Sequence, residues 1–321
     1  MSRSRRLPQF AVAALTLAVM VPSCQLASAG TPDGSAHTAA APAVAGSSGP
    51  TSSASVSATP VPSAPAPADI DGVMGKALDA LPASDGRYTV AVQDLKGQRT
   101  ALYGADTGPY DTASIVKVDI LAALLLDAQD HGTALTAQQK QLAAAMIRSS
   151  DNAATDELWK AIGESAGLAA ANERLGLTAT KPGQDGHWGL TSTTAADQMV
   201  LLEAVLGDAD SPLTADSRSY LRSLMNTVVA DQRWGISAAD DGKGSAGTPV
   251  LKNGWLPRSA TGLWDVNSIG SVEYGGHTLL VAVLSDGQPS YEKGVALVER
   301  AASTAVKAFV KAETPVVAPK A

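Results

Sequence analysis

The stretch "DTASIVKVDI", Asp111 to Ile120, places Ser114 directly before an apolar run and Lys117 three residues later. Residues three apart share one face of a helix, so the hydroxyl and the amine can meet. Lysine is almost never fully buried unless it is paired. One reading is a surface lysine snorkelling from an apolar helix. The other is a partly desolvated amine that accepts the serine's proton, which is what turns a weak hydroxyl into a nucleophile. Alone, Ser-x-x-Lys arises by chance too often to separate the two.

Two more short stretches bear on the choice. Ser150, Asp151 and Asn152 precede a helical pattern that runs to Trp159, and all three residue types are good helix N-caps. In "VLKNGW", Lys252 and Gly254 fall on one side of a strand by its period of two. By itself that is a lysine at a strand end followed by a turn glycine.

The elements that must position these residues follow from periodicity. Ile70, Val73, Ala77, Leu78 and Leu81 fall at helical spacing. "RYTVAVQDL" alternates as a strand, with "QRTALYGA" as its hairpin partner. Helices are expected from Ser114, over "TAQQKQLAAAMIRS", from Asn152 to Trp159, from Thr194 to Leu206 and from Thr214 to Asn226. Strands return at "TPVLKNGW", "TGLWDVNSIG" and "HTLLVAVLS". A last helix from Pro289 to Ala312 presents Val295, Leu297, Val298, Ala301, Ala305 and Phe309. Strands, a largely helical block, strands and a helix predict an α+β domain over 69–312, whose terminal segments share one antiparallel sheet. That length is enough for one sizeable core. No internal repeat is present.

Ser-x-x-Lys opening one helix, Ser-Asp-Asn opening another and Lys-x-Gly on a late strand stand here in one order. The set resembles the signature of class A β-lactamases and penicillin-binding proteins, a superfamily of exported bacterial serine hydrolases. The likeness spans roughly Asp69 to Ala312. It implies that Ser114 is the acylated nucleophile and Lys117 its proton acceptor. It implies that Ser150 passes a proton to the leaving nitrogen, and that Asn152 holds the substrate amide and the lysine. Lys252 would attract the substrate carboxylate and assist Ser150. The oxyanion hole would come from the backbone N–H groups of Ser114 and of Trp255 or its neighbour. Gly254 would leave room for substrate along the strand edge. The substrate implied is a small molecule or peptide, a β-lactam or a cell-wall peptide, and no cofactor is implied.

Two departures from the family pattern stand out. The third motif usually carries Thr or Ser between Lys and Gly and a small residue after it. Here Asn253 and Trp255 take those places, and both are grouped with the substrate-binding residues, Trp255 as a wall of the cleft. Class A enzymes also carry a Glu-x-x-Leu-Asn loop whose glutamate activates the deacylating water. The stretch between Gly176 and Thr194 has no glutamate. Asp185 and His187 are the nearest substitutes for that base, although a surface histidine is the plainer reading of His187. Without an evident deacylation base, a slow β-lactamase or a penicillin-binding protein that traps the drug is as compatible with the sequence as a fast enzyme. A peptidase acting on cell-wall peptides and a non-catalytic binding lipoprotein that keeps the fold are the alternatives.

The flanks and the composition narrow the setting. Three arginines followed by an apolar run from Phe10 to Val21 have the layout of a secretory signal, too short to span a membrane. The single cysteine, Cys24, ends "VPSC", which resembles a lipobox; its lipidation would tether the protein to the outer face of the membrane. Cleavage after Ala29 would instead release a secreted protein. A signal over 1–24, an Ala/Pro/Ser-rich linker over 25–68 and a tail over 313–321 complete the expected organisation. The formal charge of −7 becomes −10 once the three signal arginines are removed, which speaks against nucleic-acid binding. The four histidines, His37, His131, His187 and His277, show no metal-ligand spacing. A monomer is expected, with no membrane contact beyond the lipid anchor.

Overall fold

The computed structural model describes residues 69–82, 85–96, 99–207, 210–243 and 249–313. The expected signal, Cys24, the linker with His37 and the segment beyond 313 lie outside these residues. The first helix, α1 (Ile70–Asp79), is capped by Asp69, whose side chain accepts from the Gly72 N–H at 2.9 Å. It buries Ile70, Met74 and Leu78. Val73, expected on the apolar face, is exposed, because the stripe follows i, i+4, i+8 and Met74 takes its place.

Strands β1 (Arg87–Asp94) and β2 (Thr100–Tyr103) form the expected antiparallel hairpin. The chain then passes through β3 (Tyr110–Asp111), α2 (Val116–Asp130), α3 (Ala137–Arg148), α4 (Asn152–Ala161) and α5 (Glu164–Leu175). Next come β4 (Ser192–Thr193), α6 (Ala195–Leu206) and α7 (Ala215–Asn226), then β5 (Val250–Pro257), β6 (Trp264–Tyr274), β7 (His277–Asp286) and α8 (Tyr291–Glu313). The main sheet has the order β2-β1-β7-β6-β5 and is antiparallel throughout, so terminal segments share one sheet as the pattern predicts. β3 and β4 pair separately.

Both faces of the sheet are covered. One packs on α1 and α8 through Val90, Val281, Val283, Val298, Ala305 and Phe309. The other meets the helical block, whose centre is α2, buried on every side from Val116 to Leu126. That all-round burial explains why α2 has no polar face in its sequence. Two elements differ from the sequence reading. The helix expected at Ser114 begins as a 3-10 turn, Ala113–Ile115, before α2 proper. The helix α5 was not anticipated, because its alanines give little contrast between faces. Its ends are marked by Gly163 and Gly176, both in the left-handed region.

Phe309 is fully buried where α8 closes on the sheet. Phe309→Ala should lower unfolding free energy by about 3–5 kcal/mol in urea denaturation. A loss below about 1 kcal/mol would contradict this packing.

Candidate active site

Ser114 stands in a turn held from two sides. The Thr112 N–H donates to the Thr191 carbonyl at 2.8 Å. Asn267 of β6 donates its Nδ2 to the carbonyls of Asp111 and Thr112, at 2.9 and 3.1 Å. Ala113, just before the serine, has φ of +47°, a conformation costly for a residue with a Cβ. This backbone brings the serine to the N-terminal end of α2, where N–H groups lack partners within the helix. Ser114 is half-buried and lines an open cleft of about 350 Å³ with Asn152, Asp156, His187 and Trp188. Among the described residues its hydroxyl makes no hydrogen bond.

The free edge of β5 runs beside this turn. A Cβ added to Gly254 would lie 2.7 Å from the Ser114 nitrogen and from the Thr112 carbonyl oxygen. Only a glycine lets the strand approach so closely. The ladder fixes which N–H groups face the turn. The Arg258 N–H donates across to the Leu263 carbonyl in the register that pairs Lys252 with Ile269 and Gly254 with Asn267. Antiparallel alternation then points the backbone groups of Leu256, Gly254 and Lys252 toward β6, and those of Trp255 and Asn253 outward. Pro257, which has no N–H, falls on the outward side, where a strand edge tolerates it. The Trp255 N–H and the Ser114 N–H therefore lie along the same gap between strand and turn.

Behind the serine, two buried lysines converge on one hydroxyl. Lys117 Nζ donates to the Ser150 carbonyl at 2.7 Å, Asn152 Oδ1 at 2.8 Å and Ser150 Oγ at 3.1 Å. Lys252 Nζ donates to the same Ser150 Oγ at 3.0 Å and to the Asn253 carbonyl at 2.7 Å. Their exposures are 0% and 1%. Asp151, the N-cap of α4, accepts from the Ala154 N–H at 2.7 Å and fixes the helix start. Ser150 has φ of +57°, so its presentation to both amines is imposed on the backbone by its surroundings.

Burial pushes Lys117 down from the ordinary lysine range to about 7, with the carboxylates of Asp151 and Asp156 pulling in the opposite direction. Burial, and then the charge of Lys117, holds Lys252 well below its ordinary value. Two ammonium groups on one hydroxyl repel each other, so the arrangement favours one neutral amine. A neutral amine and a hydroxyl can exchange a proton in either direction. The site can thus take a proton from a nucleophile at Lys117 and deliver one from Ser150.

Comparison with known proteins places this geometry in a family. A family model described as "Beta-lactamase enzyme family" matches residues 129–309, more than half of the chain. The chain belongs to the beta-lactamase enzyme family. The matched stretch contains Ser150, Asn152 and Lys252 and begins downstream of Ser114 and Lys117. The chain is 28% identical over 187 residues to a protein named "Putative lipoprotein LppW" in Mycobacterium tuberculosis and Mycobacterium bovis. That match covers 56% of this chain and 58% of the relative, so it spans little more than half the relative's length. Among solved structures, a class A beta-lactamase from Bacteroides cellulosilyticus is 16% identical with a TM-score of 0.63, covering 75% of this chain and 99% of that one. PBP-A is 20% identical with a TM-score of 0.60, covering 75% and 96%. At these identities the structures show a shared fold.

Within that fold, Ser114, Ser150, Lys117, Asn152 and Lys252 come together, while the readings of Asn253 and Gly254 need correction. Asn253 is not turned to the cleft. Its Nδ2 donates to the Gln232 and Trp234 carbonyls at 2.8 and 3.0 Å, and its Oδ1 accepts from Ser268 at 2.6 Å. It lies one residue from Lys252, hence on the opposite face of β5. Trp255 shares that face. It lines the cleft as expected, and its ring packs 5.9 Å from Trp234 and 5.7 Å from Tyr291. Gly254 accommodates the Ser114 turn at its Cβ position, so the space there is already filled by protein. Of the substitutes for the absent glutamate, His187 is exposed and lines the cleft, whereas Asp185 is exposed and not among the lining residues. Trp188 and Asp156 were not singled out from sequence. Asp156 lies one helical turn beyond Asn152, a spacing that carries the signal. Among the described residues no metal-binding cluster of His, Cys, Asp or Glu occurs.

Two outcomes follow. Acylation of Ser114 should rise with pH and level off above about 7 as Lys117 loses its proton, measured as the rate of adduct formation across pH. A rate independent of pH, or one rising only near the ordinary lysine value, would contradict a neutral Lys117. Gly254→Ala should reduce the acylation rate by about tenfold or more, because its methyl displaces the Ser114 N–H. Wild-type kinetics in that variant would contradict the close approach.

Proposed function

We propose that the chain is an acyl-transferring serine hydrolase acting on the amide bond of a β-lactam or a related cell-wall peptide, with slow release of the acyl group. The observation that carries this reading is the convergence of Lys117 and Lys252 on the Ser150 hydroxyl beside a cleft containing Ser114. Lys117 takes the Ser114 proton as Oγ bonds to the acyl carbon. The oxyanion meets the N–H groups of Ser114 and Trp255. The carbon–nitrogen bond breaks as the nitrogen takes the Ser150 proton, which the lysines replace. Asn152 faces the substrate amide and keeps Lys117 in place, and Lys252 attracts a carboxylate. Water then bonds to the acyl carbon, the bond from that carbon to Ser114 Oγ breaks, and the water's proton passes by way of Lys117 to Oγ.

Slow release rests on the cleft lining. No glutamate lies in the 176–194 loop, and the carboxylate facing the cleft, Asp156, is engaged by Trp188 at 2.8 Å. Persistence of the acyl-enzyme would make the protein a penicillin-binding enzyme in practice, and the likeness of fold to PBP-A is in keeping with that. Export as a lipoprotein through Cys24 is part of the same reading, supported by the lipobox-like sequence and by the name of the LppW relative. Among the described residues no helix is long and apolar enough to cross a membrane.

Intact-protein mass spectrometry after mixing with a penicillin, beside Ser114→Ala, tests the reading. A drug-sized adduct should form on the wild type, persist for many turnover times of a fast enzyme, and be absent from the variant. An adduct on both proteins, or neither adduct nor drug consumption with the wild type, would contradict it, the latter favouring a non-catalytic binding protein.

A further inference from the structure

The loop between α5 and α6 closes on itself over the site. Lys181 and Ser192 exchange backbone hydrogen bonds of 2.8 and 2.9 Å, and the Gly183 N–H donates to Thr191 Oγ1 at 3.0 Å. A Cβ on Gly183 would lie 2.0 Å from the His187 carbonyl oxygen, so the turn is tight. The Thr191 carbonyl in turn accepts from Thr112, which ties the loop to the nucleophile turn. From this closed loop Trp188 projects over Lys117, its ring centroid 4.8 Å from Nζ. Its Nε1 donates to Asp156 Oδ1 at 2.8 Å. A water held between the amine and the ring would need a separation of about 6 Å, one hydrogen bond plus one carbon contact. The ring therefore sits directly against the amine with no water layer between them.

We propose that Trp188, held in place by Asp156, is the positioning residue that keeps hydrolytic water away from Lys117 and so sets the lifetime of the acyl-enzyme. This rests on the acyl-transfer reading above. In an acyl-enzyme at Ser114, a water activated by Lys117 or Ser150 must reach the space next to the amine. Trp188 covers the side facing the loop, while Ser150 and Asn152 hold the amine from within. Asp156 is exposed on α4, so its bond to the indole holds the ring without burying a carboxylate. Displacing the ring admits water next to an amine that can serve as its base. Deacylation then accelerates, whereas acylation, which uses Ser114, Lys117 and Ser150 and does not involve the indole, proceeds.

The experiment is time-resolved mass spectrometry of the penicillin adduct on the full chain. Trp188→Ala should shorten the adduct lifetime by about tenfold, the size of effect expected for removing one well-placed barrier. Asp156→Ala should act in the same direction. Asp156→Asn still offers an oxygen to the indole N–H and should restore a lifetime close to the wild type, a rescue that a carboxylate acting as the base would not show. Trp188→Phe keeps a ring without the N–H, guards against loss of folding, and should fall between wild type and Trp188→Ala. Adduct lifetimes unchanged in Trp188→Ala and Asp156→Ala would overturn the proposal, as would a longer lifetime in Asp156→Asn. Absence of any adduct on the wild type would refute the acyl-transfer reading instead, which separates the two failures.

Discussion

Two lysine amines buried against a single serine hydroxyl are the constraint around which the rest of the site is arranged. A buried ammonium costs several kcal/mol unless polar partners replace its water. Here the replacements are the Ser150 carbonyl and Asn152 Oδ1 for Lys117, and the Asn253 carbonyl for Lys252, with Ser150 Oγ shared. The partners come from two places in the chain, the start of α4 and strand β5. The start of α4 must abut α2, and the edge of β5 must abut both. The positive φ of Ser150 marks where the backbone yields to that demand. A structure that holds two amines this way lowers the proton affinity of both, and this is the property that makes a lysine useful as a base near neutral pH.

The second requirement is closeness between the sheet edge and the Ser114 turn. Gly254 permits it, Asn267 fastens it, and Asn253 secures the other face of β5 to the backbone around Gln232 and Trp234. One strand thus does two jobs through its period of two. Lys252 and Gly254 face Ser150 and the Ser114 turn, while Asn253 binds the Gln232 and Trp234 carbonyls and the Trp255 ring packs beside Trp234. The aromatic contacts of Trp255 with Trp234 and Tyr291 belong to that packing.

Much of this was legible in the sequence because it depends on spacing along single elements. Ser114 and Lys117 lie within one turn, Ser150 and Asn152 at one helix start, and the strands that bound the sheet alternate clearly. The antiparallel sheet built from both ends of the domain followed from element order. What stayed hidden depends on contacts between distant segments. Nothing local to "KNG" tells which of Lys252 and Asn253 faces the cleft, because that is set by the register with β6. The place of Trp188 over Lys117 depends on a loop closed between Lys181 and Ser192, and a sequence pattern does not record loop closure. The helix α5 was missed for a different reason, the weak facial contrast of an alanine-rich segment.

The most direct test of the buried amines is a pH titration by NMR of protein carrying 13Cε-labelled lysine, with the Lys117 resonance assigned by its loss in Lys117→Met. The expected result is a titration centred near 7, far below the exposed lysines. A Lys117 resonance that keeps its charged position up to the ordinary lysine value, about 10.4, would contradict the neutral amine on which the proposed chemistry depends.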